Sequence, residues 1–341
     1  MVSTKIEWVK NPQGTPGETW NPVTGCSKVS AGCANCYAKR FSRRLAGRCG
    51  YPEDDPFRVT LHPEKLEEPL RWKKPRRIFV NSMSDLFHDD IPEAFIDRVL
   101  EVIAACPQHT FIVLTKRPQN LQQKLYSVTP EVPVRELGGG DYLPNLWLGV
   151  SVENQKTADG RIPRLLQIPA AIRFVSVEPM LGPVDLTRIG GDQFGWGRID
   201  AVGGLYYERA EAMEHGCEWQ TLSWAKIDWV ICGGESGPGA RPCHIDWIRS
   251  LRDQSQETGT PFFFKGWGEW VPGEATSWLY DRPLWCKYQN GSSSFNRVGS
   301  HEWDGRHVSL KVGKKAAGRL LDGQEWEQIP ERSRQNEVDR G

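Results

Sequence analysis

The chain has 341 residues, and its 43 Lys plus Arg balance its 43 Asp plus Glu. The formal net charge is zero, so no globally electrostatic partner is implied, although local basic patches remain open. Hydrophobic residues at 38%, with 34 Gly and 24 Pro, argue for a loop-rich globular chain rather than a repeat array or a coiled coil. No apolar run approaches the roughly 20 residues needed to span a bilayer, so no membrane association is expected. Residues 1–14 show neither an apolar h-region nor a cleavage site, so the expected location is cytoplasmic.

In chain order, an extended entry is expected over residues 19–24, then a helix over 36–48 and a strand over 77–81. Residues 90–105 form the strongest helical pattern. Asp90 with Glu93 reads as a capping box, and Phe95, Val99, Val102 and Ile103 repeat at helical spacing. Strands follow at 110–114, 146–150, 172–177, 229–232 and 261–265, with helices over 157–166 and 246–257. Seven strands with helical or long connections predict α/β architecture, a partial or complete (β/α) barrel of parallel strands, with a doubly wound open sheet as the alternative. Residues 1–269 are assigned to this barrel, with an insertion or lid at about 186–226. Residues 270–341, rich in Trp, Gly and charge, are assigned to a C-terminal extension with a mobile end.

Nine cysteines in a reducing compartment are thiols, and clustered thiols there point to metal before disulfide. Cys49, Cys106, Cys217, Cys232, Cys243 and Cys286 are dispersed, and most of them read as small buried hydrophobes. Cys26, Cys33 and Cys36 lie in TWNPVTGCSKVSAGCANCYAKRF with spacing C-x6-C-x2-C. Thiolates are soft ligands suited to iron–sulfur clusters and to zinc. Three ligands on a four-iron cluster leave one iron open. The alternative is a zinc site completed by His62, His88 or another cysteine.

A three-cysteine loop after the first strand, with Tyr37 beside the last cysteine, resembles the radical S-adenosylmethionine (radical SAM) superfamily, although C-x6-C departs from its usual C-x3-C. Successive strand ends carry NSMSDLF (Ser84, Asp85), TKRP (Lys116, Arg117) and GVSVEN (Ser151, Glu153). In order and placement these are similar to motifs of the spore photoproduct lyase branch. The resemblance implies a 4Fe–4S cluster on Cys26, Cys33 and Cys36, and S-adenosylmethionine contacted by Ser84, Asp85, Lys116 and Ser151. Over residues 19–330 the chain also resembles an uncharacterised family found in phages and mobile elements, through TWNPVTGC, CANCYA, RIFVNSMSDLFH, WLGVSVE, RFVSVEPMLGP, GGESGPGARP and FFFKGWGEW.

At the remaining strand ends stand Glu178, Glu235, Arg241 and Lys265, which are assigned to the substrate side. The GGESGPGAR run lacks the G-x4-G-K-[ST] pattern of a phosphate loop. KRFSRRLAGR and RWKKPRR are basic, and either a phosphate-binding or a merely solvated role fits them. The resulting expectation is an enzyme that reductively cleaves S-adenosylmethionine to begin hydrogen abstraction on an unknown substrate, with nucleic acid or a nucleotide favoured. It requires an electron donor, and a partner protein encoded nearby is compatible with it. The competing expectation is a zinc-stabilised nucleic-acid-binding module without catalysis.

Overall fold

Seven short runs of β-branched and aromatic residues build one parallel sheet in the computed structural model, which describes residues 3–4, 6–126, 142–191, 196–209, 219–223, 225–273, 299–304 and 307–331. The first strand, β1 (Glu18–Trp20), precedes an antiparallel ribbon of β2 (Val23–Thr24) and β3 (Thr60–Leu61). The sheet continues with β4 (Arg77–Val80), β5 (Thr110–Thr115), β6 (Leu146–Val152) and β7 (Ile172–Val177). Between β7 and the next sheet strand the chain forms an antiparallel sheet of β8 (Ile189–Gly191), β9 (Trp196–Asp200), β10 (Leu205–Arg209) and β11 (Trp219–Ser223). The parallel sheet ends with β12 (Trp229–Cys232) and β13 (Phe262–Phe264). Its order is β1-β4-β5-β6-β7-β12-β13, without the reversal a doubly wound sheet requires, so the fold is a partial α/β barrel.

Curvature is visible in the side chains. Neighbouring strands lie about 4.8 Å apart, so β4 and β12 would stand roughly 19 Å apart in a flat sheet. Yet the ring centroid of Trp8 lies 4.9 Å from that of Phe79 on β4 and 6.1 Å from that of Trp229 on β12. The concave face is filled by Phe79, Ile112, Trp147, Phe174, Trp229 and Phe263, and Trp8 from the N-terminal segment plugs it. Alternate residues, among them Val80, Val113, Leu148, Val175 and Val230, face outward. Against them pack the apolar faces of α2 (Glu93–Ala104), α4 (Gln155–Leu166) and α5 (Ile245–Glu257), while α3 (Pro118–Tyr126) adds Leu121.

Two local expectations are corrected. The capping box of Asp90 and Glu93 does not form: Pro92 is the N-cap and contributes no side-chain bond. A residue preceding proline favours extended backbone, so Ile91 cannot readily begin the helix, and it starts at Glu93. The helix expected over 36–48 is only α1 (Tyr37–Ser42). Ser42 Oγ turns back onto Lys39 O, and Gly47, Cys49 and Gly50 adopt positive φ, which breaks helical continuation.

Where described, the insertion is tied to α4, the Gly190 N–H donating to Asp159. The C-terminal part forms β14 (Trp270–Pro272), β15 (Ser300–Glu302) and β16 (Val308–Lys311), an antiparallel sheet in the order β14-β16-β15. The chain then returns to the barrel edge, where Glu327 bridges Phe263 and the Trp229 indole donates to Gln328 O. Residues 332–341, expected to be mobile, lie outside the described residues.

Gly149 sits where Phe174 crosses the barrel floor, and a Cβ there would stand 2.4 Å from the Phe174 ring. Overpacking of this kind costs about 1–3 kcal/mol. Gly149→Ala is expected to lower the free energy of urea unfolding by that amount, seen as a lower midpoint with an unchanged slope. Wild-type stability in this variant would show that the floor is loosely packed.

Candidate active site

The cysteine loop runs across the carboxyl ends of the sheet strands and is braced at each crossing. It leaves β2 through Gly25 (φ 83°), where a Cβ would fall 2.1 Å from Arg58 O, so only glycine fits. The Gly25 N–H donates to Met83 O, and the Cys26 N–H to Phe57 O.

Arg117, which follows β5, supports the first part of the loop. It donates to Cys26 Sγ at 3.4 Å, to Ser27 Oγ at 2.7 Å and to Ser27 O at 3.1 Å. The same guanidinium pairs with Asp85 at 3.3 Å. Asp85, which follows β4, is itself buried and also accepts from Thr115 Oγ1, from the Lys116 N–H and from the Phe87 N–H. Burial, with Asp85 adding to it, pushes the Cys26 thiol up to about 11 against the opposing pull of Arg117. Cys26 is therefore protonated in the metal-free chain, and loading a metal must displace that proton.

Glu153, at the end of β6, supports the middle of the loop. Its carboxylate is 0% exposed. It accepts from Ser30 Oγ at 2.6 Å and pairs with Lys116 Nζ at 3.0 Å and Arg161 at 3.2 Å. Burial alone would raise its pKa, but Lys116, Arg161 and the Ser30 hydroxyl together hold it below the usual carboxylate range. Gly32 lies directly on this carboxylate, since a Cβ there would meet Glu153 Oε1 at 2.4 Å.

Glu235 and Arg241, which follow β12, support the far side. They form a bidentate pair, Nε to Oε2 at 2.8 Å and Nη2 to Oε1 at 2.7 Å, and Arg241 also donates to Ala31 O. Asn35 links Glu235 to Gly239 O, and Tyr37 donates its hydroxyl to Ser82 O. The sequence places Glu235 and Arg241 on the substrate side; their contacts in the structure are with each other and with the loop.

Below the loop, inward-pointing residues at the strand ends form a polar ring. Lys116 Nζ reaches Ser151 Oγ, which donates to Glu178 O at 3.2 Å. Across the mouth, Lys265 Nζ lies 2.5 Å from Glu178 Oε1. Burial pulls the Lys265 pKa down, but the Glu178 carboxylate outweighs it and keeps the ammonium charged. Ser84 bonds Val23 O at 2.9 Å, fixing the loop that carries Asp85. Lys116, Ser151, Glu178 and Lys265 are thus brought together, while Ser84 and Asp85 lie behind them.

Zinc and an iron–sulfur cluster make different demands on the three thiols. Zn–S bonds of about 2.3 Å put the sulfurs of one tetrahedral zinc about 3.8 Å apart. Among the described residues, no set of three His, Cys, Asp or Glu ligand atoms within 4.8 Å of one another includes Cys26, Cys33 or Cys36. His62 and His88 are engaged elsewhere, by Thr24 Oγ1 at 2.8 Å and Ser27 Oγ at 2.7 Å. Arg117 donates to Cys26 Sγ and so offsets part of the burial that favours the neutral thiol.

Glu153→Gln would leave Lys116 and Arg161 without their carboxylate. Breaking a buried pair from one side costs about 3–5 kcal/mol. Denaturant unfolding of this variant is expected to show a loss of that order, together with faster modification of Cys33 by a maleimide. An unchanged midpoint and unchanged thiol reactivity would show that the loop does not depend on this carboxylate.

Compared with solved structures, the chain is similar to two spore photoproduct lyase variants, one with bound AdoMet and dinucleoside spore photoproduct and one with the dinucleoside spore photoproduct. Each is 11% identical over 93% of this chain and 72% of the other, with TM-scores of 0.38 and 0.39. No curated protein matches the chain. The profile described as "Protein of unknown function (DUF5131)" matches residues 3–330, and the chain belongs to that family.

Proposed function

We propose that this protein is an iron–sulfur enzyme of the radical SAM type that acts on a nucleic acid or nucleotide. The observation that carries the reading is one loop bearing three thiols, held across the carboxyl ends of a partial parallel barrel by Arg117, Glu153 and Arg241. Cys26, Cys33 and Cys36 would hold a 4Fe–4S cluster, with S-adenosylmethionine beside it over Lys116 and Ser151. When bound, the pair supplies one-electron cleavage of the cofactor and hydrogen abstraction from substrate; an external donor provides the electron. Lys116 offers a cation to the cofactor's carboxylate, and Ser151 a hydroxyl. Asp85 acts through its neighbours, fixing the Lys116 backbone and aiming Arg117 at Cys26. The aromatic floor keeps water from entering below the reacting groups. Glu178 and Lys265 face the substrate as a charged pair.

The substrate class is supported by α1, which begins directly after Cys36. Tyr37 and Phe41, four residues apart on one helical face, are 53% and 48% exposed. Arg43, Arg44 and Arg48 follow, also exposed. Aromatic faces among cations suit stacked bases and phosphates. RWKKPRR contributes less, because Arg76 pairs with Glu18 and Arg77 donates to Lys10 O.

Anaerobic reconstitution with iron and sulfide is expected to give a 4Fe–4S electron paramagnetic resonance signal that shifts when S-adenosylmethionine is added. Lys116→Gln should keep its iron but bind the cofactor about tenfold more weakly, the loss of one charge-assisted hydrogen bond. Stoichiometric zinc with no cluster would overturn the reading in favour of a binding module.

The double variant Arg43→Gln, Arg44→Gln should weaken binding of a single-stranded oligonucleotide. It should also reduce the slope of log K against log salt by about 1.4, from two lost phosphate contacts. An unaltered slope would remove this helix from the substrate path.

A further inference from the structure

A second constellation lies away from the cysteine loop, where α5 meets the small C-terminal sheet. His244 is the N-cap of α5, Asp246 lies in its first turn, and His307 precedes β16. Each offers one ligand atom, and these atoms all lie within 4.8 Å of one another. From the geometry we infer that these three residues form a binding site for a divalent first-row transition cation of the zinc class, which clamps the C-terminal sheet to α5.

The distances favour an ion over direct bonding. Asp246 Oδ2 lies 3.8 Å from His244 Nδ1 and 3.7 Å from His307 Nε2. Both separations exceed hydrogen-bond length. Zn–N and Zn–O bonds of about 2.0–2.1 Å place tetrahedral ligands about 3.3 Å apart, so each imidazole nitrogen stands a few tenths of an ångström beyond coordination spacing from Oδ2, and the two nitrogens lie within 4.8 Å of each other. The other carboxylate oxygen, Oδ1, is held by Arg249 at 3.3 Å, which turns Oδ2 toward the two imidazoles.

His307 is also oriented as ligating histidines are. Its Nδ1 lies 3.0 Å from the Asp304 carboxylate. A carboxylate on one ring nitrogen fixes the N–H there and leaves the lone pair on the other, the arrangement that supports metal-bound imidazole. That leaves Nε2, 3.7 Å from Asp246 Oδ2, as the ring nitrogen able to take a metal. His244 Nδ1 accepts the Asp246 N–H at 3.2 Å, a long bond that coordination would replace.

The surroundings restrict the site without closing it. The His244 and His307 rings are 4.6 Å apart, and Trp303 packs edge-on against His244 at 5.1 Å. The same histidines line a small cavity with Pro272, Trp303 and Ser309, contributed by the C-terminal sheet and its loop. Asp246 is half exposed, which leaves room for water as the fourth ligand. The donor set of two imidazoles and one carboxylate lacks the thiolates of the cysteine loop, so the two sites differ in their cobalt spectra as well as in place.

The test uses the full chain carrying Cys26→Ser, Cys33→Ser and Cys36→Ser, so that no thiolate of the loop competes and failure of the cluster proposal cannot influence the result. Titration with Co2+ is expected to saturate at one equivalent, with d–d bands and no thiolate charge-transfer band. Zn2+ should displace the cobalt and raise the melting temperature. His307→Ala should abolish the bands, and Asp304→Asn should weaken binding by about tenfold through the lost support of the imidazole. Asp246→Asn, at a half-exposed position, covers the case in which His307→Ala unfolds the small sheet, and it too should lose the cobalt. Absence of cobalt binding, or binding equally strong in both His307→Ala and Asp246→Asn, would overturn the site and leave the trio as a protonated histidine held between two carboxylates.

Discussion

A carboxylate withdrawn entirely from water must be neutralised by its surroundings, and Glu153 is such a group. Its three partners come from three separate parts of the chain: Lys116 from the end of β5, Arg161 from α4 and Ser30 from the cysteine loop. Moving any of them would strand a buried charge. Their positions are therefore coupled, and Gly32 lies so close that the loop backbone is moulded to the carboxylate. Helix α4 begins immediately afterwards, with Asn154 and Thr157 in a reciprocal capping box and Thr157 Oγ1 accepting the Glu153 N–H. The charge, the strand end and the helix start thus form one rigid junction beneath the thiols.

The same solution recurs to either side. Asp85 after β4 is matched with Arg117, and Glu235 after β12 with Arg241. Each arginine makes a second contact with the cysteine loop, at Cys26 and Ser27 or at Ala31. A planar guanidinium can serve a carboxylate and a loop carbonyl at once, which a lysine ammonium on a flexible stem does less well. This gives the long first gap of C-x6-C-x2-C a physical meaning. Six residues let the chain pass from the Arg117 clamp over Glu153 to the Arg241 clamp, and the short 3-10 turn Ala31–Cys33 then presents the second thiol.

The strands of the parallel sheet and the cysteine cluster were legible in the sequence because they are local: β-branched runs, helical periods and short spacings. Lys116 and Ser151 could be placed at the mouth because strand-end residues of a parallel barrel converge there. Glu153 and Arg117 stand in the same motifs, yet their importance lies in partners 123 and 91 residues away, Ser30 and Cys26. No period or propensity reports such a pairing. For the same reason the sequence assigns Glu235 and Arg241 to the substrate side without showing that each is the other's partner. His244, Asp246 and His307 met only because β16 folds back beside α5. The capping box at Asp90 misled because a proline two residues later overrides a side-chain cap.

The barrel floor explains why the mouth is polar at one end only. Trp8 enters from outside the sheet and touches rings from β4, β7 and β12, so the curl of the sheet follows from the volume it must enclose. Buried aromatics fill that end, and Gly149 gives Phe174 the space to cross. One inward layer higher, side chains become Lys116, Ser151, Ser176 and then Glu178 and Lys265. Because inward and outward positions alternate strictly along each strand, this change of chemistry needs only one or two residues per strand. The tight floor also limits how far the strand ends can move apart. The two arginine clamps and the Glu153 carboxylate above it therefore act on a frame of fixed width, and the cysteine loop inherits that rigidity.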